Sequence, residues 1–113
     1  MSCHIINIEY GMPTVEVARN RLINGLQAAR MRGIKTVKVI HGYGSSGKGG
    51  AIKRDVHKYL EQKLHDKAIR AYVKGEDFSP FSEAARRIAA LSPDLKRDHD
   101  YGRCNDGITI ILL

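Results

Sequence analysis

An imidazole, an ammonium group and several glycines stand close together in Lys38-Val39-Ile40-His41-Gly42-Tyr43-Gly44-Ser45-Ser46-Gly47-Lys48-Gly49-Gly50. A histidine titrates near neutral pH. Within hydrogen-bond reach of a water or a hydroxyl, it can take or give a proton. Gly42, Gly44 and Gly47 let the backbone turn sharply and approach a ligand closely. Lys48 stands where its side chain can meet an anion held by that loop. Each residue also has a plainer role: His41 can cap the loop, and the glycines can serve the turn alone.

The flanking sequence says what must hold these groups in place. The β-branched run Thr36 to Ile40 reads as a strand, and Ala51 to Leu64 reads as a helix. A helix start offers unpaired N–H groups and the positive end of a dipole. Strand, glycine loop, lysine and helix start together make a cradle suited to a phosphate. Lys53 and Arg54 extend the positive charge along the helix. Their plainer reading, with Lys58, is a solvated helix face.

Upstream, His4 to Tyr10 is predicted as a strand with Ile6, Ile8 and Tyr10 on one face. Gly11-Met12-Pro13 ends it. Thr14 is placed to cap a helix running to about Met31, with Glu16 in its first turn. Val15, Ala18, Leu22, Leu26 and Ala29 form its apolar stripe, and Gly33 stops it. A strand, a helix and a strand in this order predict a βαβ unit with the two strands parallel. In the second helix Ile52, Val56, Tyr59, Leu60 and Leu64 face inward.

Ala68 to Val73 is predicted as a third strand. Ser79-Pro80 and Ser92-Pro93 read as helix starts with proline in the first turn. Between them Phe81, Ala84, Ala85, Ile88 and Leu91 make an amphipathic stripe. Asp94 to Asp106 is expected to be a polar, mobile loop. Gly107 to Leu113 is nearly all apolar and is expected inside the sheet. The fold class that follows is α/β, a two-layer sandwich with a helical insertion at about 79–100 before the last strand.

One domain is the expectation for 113 residues, so 1–113 is read as a single unit. The formal net charge is +7. Residues 1–74 hold 14 Lys/Arg against 5 Asp/Glu, and residues 75–113 hold 5 against 7. The glycine loop thus lies in the basic part, which suits DNA or RNA as partner. The two cysteines, Cys3 and Cys104, form no disulfide framework and no four-ligand zinc site. Free thiols in a reducing cytosol are expected, hence a cytoplasmic location. No apolar run is long enough for a membrane span, and the N-terminus shows no signal-peptide pattern.

The residues offer two other chemistries. Gly42-x-x-x-x-Gly47-Lys48 approaches a P-loop, but Gly49 stands where the magnesium-binding hydroxyl belongs. Asp98-His99-Asp100, with Cys104 and Asp106, offers metal-binding groups at a spacing that fits no standard site, so no metal ligands are assigned.

The order of elements and three short motifs resemble the small MutS-related, or Smr, domain. Thr14-Val15-Glu16-Val17-Ala18 looks like its helix start. His41-Gly42-Tyr43-Gly44 looks like its His-Gly-x-Gly signature, set between strand and helix. Asp106-Gly107-Ile108-Thr109-Ile110 looks like its closing glycine and strand. The family's first signature, Leu-Asp-x-His/Arg-Gly, falls on Ile8-Glu9-Tyr10-Gly11-Met12, where Glu9 stands for the acid and no basic residue follows.

The resemblance implies a sandwich similar to the C-terminal domain of translation initiation factor 3. It also implies DNA or RNA binding and, in some members, endonuclease cleavage with a role in repair or recombination. On that reading His41 would handle the proton and Glu9 would supply the acid. Gly42, Gly44, Gly47, Lys48, Lys53 and Arg54 would hold phosphate. A divalent metal is compatible with the cleavage reading, and no cofactor is assigned. Two rival functions stand beside it. One is a nucleotide-binding protein using the near P-loop. The other is a non-catalytic protein-interaction domain using the insertion and the basic face.

Overall fold

A computed structural model of the chain describes residues 3–43 and 48–113. Its strands are β1 (His4–Asn7), β2 (Thr36–Ile40), β3 (Ala71–Lys74) and β4 (Ile108–Leu112). Its α-helices are α1 (Val15–Met31), α2 (Lys48–His65) and α3 (Glu83–Leu91). Short 3-10 turns cover Gly75–Asp77 and Pro93–Arg97. One sheet has the order β1-β2-β4-β3. β1 and β2 run parallel, as the βαβ reading requires, and His4 aligns with Val37. β4 lies antiparallel to both β2 and β3, with Val39 opposite Thr109 and Val73 opposite Ile110.

Thr14 caps α1 through its side-chain oxygen, which accepts from Val17 N at 3.1 Å. Glu16 lies in the first turn, and Gly33 takes a left-handed conformation just past the end. The buried face is Ala18, Leu22, Leu26 and Ala29. Gly25 lets α1 close on the sheet, because a Cβ there would come 2.9 Å from two carbons of the Ile6 side chain. α2 buries Ile52, Val56 and Leu60 beside it. These two helices and Ile6, Ile8, Val37, Val39 and Ile111 make the first core.

The second core lies on the other face. Val73, Ile108, Ile110 and Leu112 alternate with the residues of the first core along their strands. Against them pack Phe78, Ala85, Ile88 and Leu95. The insertion therefore adds a partial third layer over β3 and β4. This explains why β4 is buried at every position. Over β1 that layer is missing, and Ile5 remains 56% exposed.

Several boundaries differ from the sequence reading. β1 stops at Asn7, because Arg21 claims the carbonyls that would have continued it: its guanidinium donates to Ile8 O and Tyr10 O and lies 3.8 Å from the Tyr10 ring centre. Tyr10 is accordingly exposed. α2 begins at Lys48, three residues earlier than read. β3 begins at Ala71, since Lys67 and Ala68 instead bond back to Leu64 O and Lys63 O and close α2.

The cap of α3 is Ser82, whose hydroxyl accepts from Ala85 N. Ser79 instead accepts from Phe81 N in a local turn. Phe81 is left outside the helix and 92% exposed, while buried Phe78 anchors the segment. The stretch 94–106, expected to be mobile, is packed: Leu95 is buried and Tyr101 meets Phe78 edge to face at 5.1 Å.

Candidate functional site

β2 ends at Ile40 and delivers His41, Gly42 and Tyr43 to the carboxyl edge of the sheet. The backbone there is fixed by one carbonyl. Gly107 O accepts from both His41 N and Gly42 N, each at 3.0 Å. Alternation along the strand then sends His41 toward α2 and leaves the next position facing the opposite side.

The His41 ring is fully buried. Its Nδ1 lies 3.0 Å from Gly42 O, and its Nε2 lies 2.9 Å from Thr109 Oγ1. His57 Nε2 reaches the same hydroxyl at 3.0 Å. The two rings stand edge to face at 5.6 Å, and His57 stacks on Tyr72. Burial lowers the His41 pKa, against a smaller upward pull from the Gly42 carbonyl. Burial, then the neighbouring His41, brings His57 down to about 4.

Both rings are therefore neutral at pH 7, and the partners fix their protons. A carbonyl only accepts, so His41 Nδ1–H donates to Gly42 O. His41 Nε2 must then accept, and the Thr109 hydroxyl donates to it. Thr109 has spent its proton, so His57 Nε2–H donates to Thr109 Oγ1. One directed chain, His57 to Thr109 to His41 to Gly42, ties α2, β4 and the loop together. His41 keeps no nitrogen free for an outside molecule.

Gly42 has φ +86°, and the Glu9 carboxylate occupies the space a Cβ would fill. An L side chain is thus excluded twice. Glu9 itself is exposed and has no ionic or hydrogen-bonding partner for its side chain among the described residues. The structure brings Glu9 to Gly42, next to His41, but on the sheet face away from the imidazole. There Glu9, Ile5, Ile40, Tyr43, Asp100 and Asn105 help line a cleft of about 370 Å³. Tyr43 is 64% exposed, and its ring rests on Gly107, where a Cβ would approach it to 3.2 Å.

The cleft floor holds an ion cluster absent from the sequence reading. Lys38 is buried in mid-strand, and its Nζ donates to Asp98 Oδ1 at 2.6 Å and Asp100 Oδ2 at 2.7 Å. Asn105 Nδ2 donates to the other Asp100 oxygen, while Gly107 N donates to Asn105 Oδ1. Burial pulls the Lys38 pKa down, but the bonds to Asp100 and Asp98 outweigh it and leave it raised. The cation that Asp98 and Asp100 hold is thus an ammonium group. Among the described residues no three His, Cys, Asp or Glu side chains are grouped to bind a metal. A lysine between Val37 and Val39, in a strand otherwise suited to burial, was the available signal.

Of the other predicted site residues, Lys53 donates to Glu76 at 3.0 Å. Arg54 is exposed. Gly44, Gly47 and the side chain of Lys48 lie outside the described residues. α2 differs from its neighbours in one respect. α1 and α3 carry Glu16 and Glu83 in their first turns, and α2 carries no acid there. Arg54 and Lys58, four residues apart on its outer side, are exposed with no acidic partner among the described residues. No described helix is long and apolar enough to cross a membrane.

Comparison with known proteins agrees with this arrangement. The chain is similar in structure to the Smr domain of Thermus thermophilus MutS2, with a TM-score of 0.57 and 19% identity over 100% of this chain and 98% of that one. Comparison with curated proteins gave no match. The sequence family described as the Smr domain matches residues 10–78, from just after the first strand through α1, β2, the glycine loop, α2 and β3. That match spans more than half of the chain and includes His41 and the Gly42 turn, and so the chain belongs to the Smr domain family.

Proposed function

We propose that this Smr domain binds nucleic acid through the β2–α2 loop and the outer face of α2. The observation that carries the reading is the first turn of α2, which holds no acidic residue. A helix N-terminus favours negative charge, and here the first turn offers none. The positive charges that follow, Arg54 and Lys58, are exposed and unpaired among the described residues. A phosphate backbone supplies the missing anions at that end. Lys48 and the glycines Gly44 and Gly47 belong to the same proposed surface, and family membership supports it.

In this reading the domain binds and does not cut. Cleavage by His41 and Glu9 would need an imidazole nitrogen open to the substrate, and both are engaged within the protein. His41 is instead a positioning residue: it holds the Gly42 carbonyl and, through Thr109, joins the loop to β4 and α2. The test is a salt titration of single-stranded and duplex DNA and RNA binding. Affinity should fall steeply with salt, since each phosphate contact releases counterions. Arg54→Ala with Lys58→Ala should weaken binding and flatten the slope by about 2 for duplex DNA. An unchanged slope in the double variant refutes this surface. Cut products from branched, nicked or single-stranded substrates, lost in His41→Ala, would overturn the binding-only reading.

A further inference from the structure

The cleft beside Gly42 differs in character from the basic face of α2. Its floor is a closed ionic cluster, with both Asp100 oxygens, the Lys38 ammonium and both polar atoms of the Asn105 amide occupied by one another or by Gly107. Each of those groups already has its main partner inside the cluster. The exposed groups of the cleft are Glu9, a carboxylate with no side-chain partner among the described residues, Tyr43, a ring seated on Gly107, and His99, an imidazole beside the buried Asp100. In a chain of net charge +7, this acid stands beside the cleft with none of the described cations against it. A phosphate would be repelled there.

We infer that this cleft takes one unpaired guanine base, stacked on Tyr43, with its N1–H and N2–H donated to the two oxygens of Glu9. The inference rests on the nucleic-acid-binding reading and names the base that the same site would select. Stacking on an exposed aromatic ring is how single-stranded bases are held. An unpaired base also exposes its Watson–Crick edge. A carboxylate is acceptor-only and has two parallel oxygens. Guanine presents two adjacent donors on that edge, whereas adenine and cytosine each present a single amino group beside an acceptor. The acceptor would face the carboxylate and be rejected. The volume of about 370 Å³ is room enough for one base. The close seating of Tyr43 on Gly107 fixes the ring, so stacking costs little ordering.

The experiment uses the whole chain and two kinds of probe. Guanosine, inosine, adenosine and cytidine carry no phosphate, and amide NMR signals of Ile5, Tyr43 and Gly107 report their binding. Oligothymidylate of nine residues, with and without one central dG, reports the base in a chain. Guanosine should shift those signals more than inosine, which lacks N2–H, and equally at low and high salt. The dG oligonucleotide should bind about tenfold tighter than its all-dT counterpart. Tyr43→Leu and Glu9→Gln, both at exposed positions, should each remove that preference while salt-dependent binding of the all-dT strand persists.

Guanosine that shifts none of these signals overturns the inference, as does a dG preference that survives in both variants. Oligonucleotides bound with salt dependence but without base preference also overturn it, and leave the nucleic-acid-binding reading standing. Guanosine in the cleft with no oligonucleotide bound at any salt supports the cleft and sinks the phosphate-binding surface.

Discussion

Two histidines share one threonine hydroxyl inside this domain, and that fixes what His41 can do. Its place between strand and glycines was legible in the sequence. Its burial was not, because the partners that bury it, His57 and Thr109, are distant in sequence and carried no motif. Thr109→Val removes the hydroxyl at nearly constant shape. It leaves His41 Nε2 and His57 Nε2–H unsatisfied in the interior, at a cost of about 1–3 kcal/mol in denaturant unfolding. A loss below ~0.5 kcal/mol would mean the bridge is not formed. The same site predicts a pH dependence. His57 is held down to about 4, so the unfolded chain takes up its proton first as pH falls. Stability from this residue is complete above about pH 6.5, declines as pH falls toward 4, and does not change further below that. Urea midpoints between pH 7.5 and 4.5 should fall, and His57→Gln should flatten the fall. A midpoint that rises over this interval contradicts the neutral pair.

Among the elements, the sequence pattern identified the four strands and three α-helices but not the 3-10 turn at Gly75–Asp77, and local bonds decided where each one ended. The stripes of α1 and α2 were read correctly because one face of each meets the sheet. Ser79-Pro80 misled because Ser82, three residues later, caps the helix once buried Phe78 has fixed the chain. The segment 94–106 was misread for a different reason. Its polar residues look like a solvated loop, but Asp98 and Asp100 are drawn inward by Lys38 of β2. No local pattern announces a pair separated by some sixty residues. The clamp joins the third layer to the sheet and sets the floor of the cleft. Lys38→Met should therefore cost about 3–5 kcal/mol, since it strands carboxylates away from water. Adding Asp98→Asn and Asp100→Asn should recover a large part of that loss. Equilibrium unfolding of the single and triple variants decides it. A single variant as stable as wild type shows the cluster to be energetically idle.

The charge of the molecule is divided unevenly along the chain. The surface of α2 belongs to the basic part of the chain, and α3 on the other side of the sheet belongs to the part where acids prevail. The molecule measures 35 × 30 × 26 Å, while charges in physiological salt are screened over about 8 Å. A ligand on α2 therefore senses the local patch and little of the net +7. This separates a defined interface from general attraction to a polyanion, and it can be tested at constant net charge. Arg86 and Arg87 of α3 are exposed, as are Arg54 and Lys58 of α2. Neutralising either pair with alanine removes the same two charges. If the interface lies on α2, the Arg54→Ala, Lys58→Ala variant should bind DNA or RNA about tenfold more weakly at 0.15 M salt, at a typical 0.5–1 kcal/mol for each exposed charge. The Arg86→Ala, Arg87→Ala variant should remain within about twofold of wild type, because α3 packs in the other core, across the sheet from α2. Equal losses in the two variants would show that nucleic acid responds to total charge and that neither face is a site. A larger loss on α3 would move the interface to the third layer, away from the His-Gly turn that marks the family.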